Sequence, residues 1–178
     1  PTHFLHIQHR MHPDILEFPN KEFYANKLTS EYIDVYDVKD PYKLVFCDGV
    51  EHQIGTSWTN ESEAKMCIEL ATDISQKFQN VVIISPYQAQ CRLLLSFQSG
   101  IPIHTVDSFQ GREADAVIIS MVRTNNDGFW SDERRIVVAL TRAKHLLRIV
   151  GNYKLWSGSL GKIYENASTR KIIDVWAK

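Results

Sequence analysis

An α/β fold, a three-layer sandwich with a mainly parallel sheet, is what this sequence predicts, on three observations. Val81-Val82-Ile83-Ile84 is an uninterrupted β-branched run, the composition of a strand buried on both faces. Just before it, Ala64, Cys67, Ile68, Ala71, Ile74 and Phe78 recur at helical period. Strand-like and helix-like segments then alternate along the chain, as they do where helices join parallel strands.

In order, Phe4 to Gln8 reads as a short strand. Pro13 suits a first helical turn, and Ile15, Leu16, Phe18 and Phe23 give the helix after it an apolar side, which Pro19 is expected to interrupt. Residues 30 to 42 are polar and turn-prone, and Lys43 to Cys47 is a strand. Asn60 with Glu63 has capping-box spacing ahead of the strongest helix. After the Val81 strand, a helix is expected from near Tyr87 to Gly100, then strands at Ile101 to Thr105 and Ala116 to Val122. Ser131, followed by Asp132 and Glu133, suits a helix start. Leu146 to Val150 is a further buried strand, and residues 153–178 carry weaker signs of a helix at Leu160 to Asn166 and a strand at Ile172 to Val175. Sites in such sheets gather at strand carboxyl ends. Four polar clusters are placed there by this reading: Gln8 to His12, Ser85 to Gln88, Thr105 to Glu113, and Arg123 to Asn126.

A chain of 178 residues suits one domain, and 44% hydrophobic with 23% charged residues is ordinary globular composition. Net charge is −1, so a nucleic-acid site must be a local patch or shared with another domain. No apolar run is long enough to span a bilayer, and no membrane partner is expected. Cys47, Cys67 and Cys91 show neither disulfide-framework nor zinc spacing, which fits reduced thiols inside a cell, in cytoplasm or nucleus. His3, His6, His9 and His12 look at first like a metal cluster but have no matching acidic or cysteine partner nearby in sequence, so no metal is assigned to them.

Four sequence pieces then stand in order: Gln8-His9-Arg10-Met11-His12-Pro13 with Phe23-Tyr24 behind it, Ser85-Pro86-Tyr87-Gln88-Ala89-Gln90, Val106-Asp107-Ser108-Phe109-Gln110-Gly111-Arg112-Glu113, and Arg134-Arg135 ahead of Val138-Ala139-Leu140-Thr141-Arg142-Ala143-Lys144. With these the chain resembles the second RecA-like domain of superfamily 1 helicases, in the group of the nonsense-mediated-decay helicase and senataxin. The resemblance runs from Gln8 to about Trp156 and implies a RecA-like fold. It implies that Arg10 and Arg142 reach the γ-phosphate of ATP, with Arg142 the arginine finger. Guanidinium suits that task, since it stays charged and binds phosphate oxygens bidentately. It further implies that Gln110, Gly111 and Glu113 contact nucleotide, with Glu113 on the ribose. Ser85, Pro86 and Tyr87 with Thr105, Val106, Asp107 and Ser108 become the single-strand track, where hydroxyls and backbone N–H groups hold phosphates without reading bases. Tyr87 either stacks or packs the helix start; Trp130, Trp156 and Phe109 are expected in the core or an interface.

Two positions depart from the family pattern. His9 stands where a tyrosine usually stacks on adenine, and Val137 where asparagine is frequent. No Gly-Lys-Ser/Thr loop occurs. ATP with Mg²⁺ is therefore expected to be held mainly by a first RecA-like domain, and the chain to be part of a longer, monomeric motor, inactive alone. Its partners would be that domain and single-stranded RNA or DNA. Two alternatives stay open: a non-catalytic nucleic-acid-binding module, and another P-loop-type enzyme without translocation.

Overall fold

In the computed structural model, which describes residues 6–175, six strands form one parallel sheet. The elements are β1 (Ile7–Gln8), α1 (Pro13–Phe23), β2 (Thr29–Ser30), β3 (Tyr42–Phe46), β4 (His52–Ile54), β5 (Ser57–Thr59), α2 (Glu61–Ile74), β6 (Val81–Ser85), α3 (Gln88–Ser96), β7 (Ile103–Thr105), β8 (Ala114–Ser120), α4 (Glu133–Leu140), β9 (Ala143–Gly151), α5 (Gly158–Thr169) and β10 (Ile173–Val175). The sheet order is β10-β3-β9-β8-β6-β7. Each neighbouring pair is parallel. One face packs on α1, α4 and α5 through residues such as Ile15, Phe18, Ile136 and Ile163. The other packs on α2 and α3 through Ala64, Cys67, Leu70 and Leu94. This is the three-layer sandwich expected. The N-terminal half of the Phe4–Gln8 strand lies outside the described residues.

Local chemistry explains the boundaries. All five residues of β6 are buried, as its β-branched run demands. Asn60 caps α2 by accepting from Glu63 N at 3.1 Å. Glu63 does not return the bond; Gln90 Oε1 accepts from Asn60 N instead, at 2.8 Å. Asp132, not Ser131, caps α4, accepting from Arg134 N at 3.0 Å. Pro19 does not break α1, which continues to Phe23. An interior proline costs a helix about 3 kcal/mol. Burying Ile15, Leu16 and Phe18 returns roughly 1.5–3 kcal/mol each, so packing wins.

Two expectations about position need correction. β1 pairs only with β2, so the Gln8 to His12 cluster does not follow a strand of the main sheet. The Thr105 to Glu113 segment leaves the carboxyl end of β7 and arrives at the amino end of β8. A parallel sheet forces this, because the chain must return to the starting edge before it re-enters.

Candidate functional site

The amino ends of β8 and β9 lie side by side, with Ala114 paired to Ala143. This register brings Glu113 next to Arg142 and Lys144. Arg10 joins them from the turn before α1, whose entry is fixed by His12 N donating to Lys144 O at 2.8 Å. Arg10 Nε donates to Glu113 Oε2 at 2.5 Å, and Lys144 Nζ lies 3.0 Å from Glu113 Oε1. Burial alone would raise the Glu113 pKa, but the bonds from Lys144 and Arg10 bring it below the usual carboxylate value. Arg142 is folded onto its own surroundings. Nε donates to Val138 O at 2.7 Å, Nη1 to Arg112 O at 3.1 Å and Nη2 to Thr141 Oγ1 at 2.9 Å. Burial, then the nearby Arg10 charge, lower its pKa. Two guanidiniums and an ammonium thus meet with one carboxylate between them, an excess of positive charge suited to an anion.

Beside this cluster is an open cavity of about 520 Å³, lined by His9, Arg10, Tyr32, Glu113, Lys144 and His145 among others. His9 is exposed at its mouth, with Nδ1 3.5 Å from Glu31. Tyr32 and His145 close one wall through a 2.5 Å contact between the Tyr32 hydroxyl and His145 Nδ1. Val137 faces a separate recess with Phe23, Tyr24 and Arg134.

The second polar group lies at the carboxyl ends of β6 and β7, where Ser85 pairs with Thr105. Ser108 Oγ accepts from Thr105 N at 3.0 Å, and Thr105 Oγ1 accepts from Ser108 N at 3.1 Å. Ser108 Oγ also donates to Thr105 O at 3.1 Å. Among the described residues no hydrogen bond uses the Thr105 hydroxyl proton, which leaves a donor at the surface. Ser85 differs: its hydroxyl is fully buried and has no partner. Val106 is in the core and its N–H donates to Ser85 O at 3.1 Å, so its side chain is not on the surface. Tyr87 is half-buried, with its hydroxyl accepting from Phe129 N at 3.1 Å and its ring edge-on to Phe129. Gln90, fully buried, bonds Asn60 O and Ser120 Oγ at 3.0 Å each and serves the fold.

One segment joins the two groups. Val106 and Phe109 anchor it in the core, while Asp107, Ser108, Gln110 and Gly111 are exposed. Phe109 stacks on His104 at 5.1 Å between ring centroids. Gly111 sits at φ +80°, a conformation that other residues adopt only with strain. β8 spans seven residues, so the segment links edges roughly 20 Å apart.

Sequence reasoning gave Lys144 no role, although it sits in a quoted motif. It also missed the β4–β5 hairpin and the buried ion pair above it. Arg123 Nε donates to Glu51 Oε2 at 2.9 Å, and the guanidinium lies 4.0 Å from the Trp58 ring centroid. Burial alone would raise the Glu51 pKa, but the Arg123 bond and two further N–H groups hold it low. Trp130 and Phe109 are in the core as expected, with Trp156 partly buried against it. Among the described residues no group of three metal-ligating side chains exists, and no helix is long and apolar enough to cross a membrane. All three cysteines are free and buried.

The sequence profile of the AAA-domain family matches residues 1–154. The chain is 38% identical over 177 residues to an ATP-dependent helicase of Methanocaldococcus jannaschii, covering 85% of this chain and 26% of the relative. It is 37% identical over 182 residues to regulator of nonsense transcripts 1 of Dictyostelium discoideum, covering 86% and 14%. It is 34% identical over 204 residues to helicase sen1 of Schizosaccharomyces pombe, covering 96% and 12%. The chain therefore spans about a quarter or less of the length of these relatives. Among solved structures, the C-terminal domain of a possible DNA helicase from Lactobacillus plantarum shares the fold, with a TM-score of 0.55 at 17% identity over 86% of this chain and 91% of that one.

Proposed function

The chain belongs to the AAA-domain family, as a second RecA-like domain of superfamily 1 helicases of the nonsense-mediated-decay and senataxin group, and we propose that it is the half of an ATP-driven motor that presents arginines to the γ-phosphate and grips single-stranded nucleic acid. The carrying observation is the junction of Arg10, Arg142, Lys144 and Glu113 beside an open cavity, joined through one continuous segment to Thr105 and Ser108.

The residues present fit one side of an ATP site. They offer cations, and of the two carboxylates lining the cavity Glu113 is already paired at both oxygens while Glu31 stands beside His9, so the Mg²⁺ ligands would come mainly from a partner domain. His9, Gln110, Gly111 and Glu113 would line the nucleotide side; Glu113 keeps lone pairs enough to accept from a ribose hydroxyl as well. When bound, ATP supplies the phosphoanhydride whose cleavage drives the motor. Arg142 uses three of the five N–H donors of a guanidinium on local acceptors, so two remain for an incoming anion. Arg10 is held off by Glu113, and an anion entering the cavity competes with that carboxylate for it. Any displacement of Glu113 pulls on the Thr105–Glu113 segment, whose far end carries the Thr105 hydroxyl. That is a direct route from nucleotide state to strand grip. The motor works inside the cell, as a monomer, with a phosphate-binding loop contributed by the partner domain.

Single-strand-stimulated ATP hydrolysis by the full-length protein tests this. Thr105→Val should raise the strand concentration needed for half-maximal stimulation about tenfold, the worth of a charged hydrogen bond, while unstimulated turnover stays. Strand binding without any hydrolysis would favour the non-catalytic module instead.

A further inference from the structure

The loop after β8, Arg123 to Asn126, was singled out in the sequence and has so far no task. It lies where the connections of a doubly wound sheet diverge: β6 continues outward to β7, and β8 continues the other way to β9. Crevices at such points are where these sheets place ligands.

The loop is held with unusual firmness. Val122 has φ +70°, a conformation in which a β-branched residue is strained. Arg123 N donates to Met121 O at 2.8 Å, closing a γ-turn around it. Two side chains of α2 and its cap hold this turn: Val122 N donates to Glu63 Oε1 at 2.8 Å, and Asn60 Nδ2 to Val122 O at 3.4 Å. Beyond it, the Glu51 carboxylate accepts from Arg123 Nε, Thr124 N, Asn125 N and Asn125 Nδ2. Strain kept in place by so many contacts marks a segment whose shape matters. The loop is also stitched to the proposed strand track. Tyr87 accepts from Phe129 N, and a Cβ on Gly128 would lie 2.6 Å from the Tyr87 hydroxyl and 2.7 Å from Arg123 Nη1.

Asn125 is exposed, and its amide orientation is dictated by chemistry. A carboxylate only accepts, so the Nδ2 group must face Glu51, 3.1 Å away, and Oδ1 must face the other way. Among the described residues no hydrogen bond reaches that oxygen. The surface beside the track therefore carries an oriented acceptor. Phosphate oxygens are acceptors too and cannot pair with it. The regularly spaced donor on a nucleic-acid backbone is the ribose 2′-hydroxyl.

We infer that Asn125, oriented by Glu51, accepts a hydrogen bond from a ribose 2′-hydroxyl of the bound strand and so favours RNA over DNA of the same sequence. The inference rests on the strand-binding reading above. Glu51 and Arg123 act as positioning residues beneath it.

The test is binding of the full-length protein to a single-stranded RNA and to the same RNA carrying one 2′-deoxy nucleotide, moved stepwise along the bound stretch. One hydrogen bond is worth about threefold to tenfold in affinity. The unaltered protein should lose that much at one or a few positions. Asn125→Ala should lose affinity for the all-ribose strand by the same factor and be indifferent to the substitution. The ratio is internal to each protein, so a general weakening of the variant does not mask it. Loss of binding to ribose and deoxyribose strands alike, with the ratio unchanged, overturns the inference. So does an unaltered protein insensitive to every 2′-deoxy position, or one whose preference follows the bases. Failure of the protein to bind either strand overturns the strand-binding reading itself.

Discussion

Replacing Glu63 by glutamine should remove a pH dependence from the stability of the fold. Glu63 is fully buried on α2, where Oε1 accepts from Ser120 Oγ at 2.7 Å and from Val122 N at 2.8 Å. Burial pushes its pKa up to about 8 from an ordinary 4.5, despite those bonds. The folded state thus holds the proton more tightly than the unfolded chain. The stabilising contribution is complete below pH 4.5 and is lost as pH rises through 8. At about 1.36 kcal/mol per pH unit, the loss reaches about 3 kcal/mol at pH 7 and about 5 kcal/mol above pH 8. Glutamine keeps the accepting oxygen and cannot ionise. Urea unfolding of the 178-residue chain and of Glu63→Gln at pH 5, 6, 7 and 8, followed by tryptophan fluorescence, isolates the effect as a difference. His104 and His145, whose pKa values are lowered chiefly by burial, contribute an opposite slope, but equally in both proteins. The advantage of glutamine should grow by about 4 kcal/mol between pH 5 and pH 8. A difference flat with pH, or one that shrinks, refutes the placement of a protonated carboxyl at the end of β8.

Other expected outcomes are smaller or more local. Glu51→Ala leaves the Arg123 guanidinium buried without its carboxylate, and should cost about 3–5 kcal/mol in denaturant unfolding. Gly111→Ala meets no atom within 4 Å, yet φ +80° makes it unfavourable by about 1–2 kcal/mol, visible as a lower unfolding midpoint with unchanged m-value. Ser85→Ala removes a buried hydroxyl without a partner, so thermal unfolding should move upward, with a gain of roughly 1 kcal/mol.

The readable parts of this fold were those set by local pattern. Val81–Ile84 declared a buried strand because its neighbours on both faces must be apolar, and Asn60 declared a helix start because its side chain has one good partner three residues on. The β4–β5 hairpin was not readable: its strands are three residues long, residues 52–54 are exposed, and only Gly55 at φ +61° marks the turn. Pro19 misled because its local cost is outweighed by packing against α4 and β9, which sequence does not display. In the site, the motif residues Arg10, Glu113 and Arg142 were named from sequence, and their meeting at the amino edge required the β8–β9 register. Glu51 gave no signal, and Glu63 read only as half of a capping box, since the groups their carboxylates bond are dozens of residues away.

If Arg142 stabilises charge on the γ-phosphate in the transition state, as proposed, its loss must lower turnover without lowering affinity for a nucleotide that lacks that phosphate. In the full-length protein, saturating single strand and ATP should show Arg142→Ala slowed by about a thousandfold or more in kcat. ADP, which lacks the γ-phosphate, should bind the variant as it binds the unaltered protein. Turnover within a few fold of normal, or a kcat loss matched by an equal loss of ADP affinity, would contradict that role of Arg142.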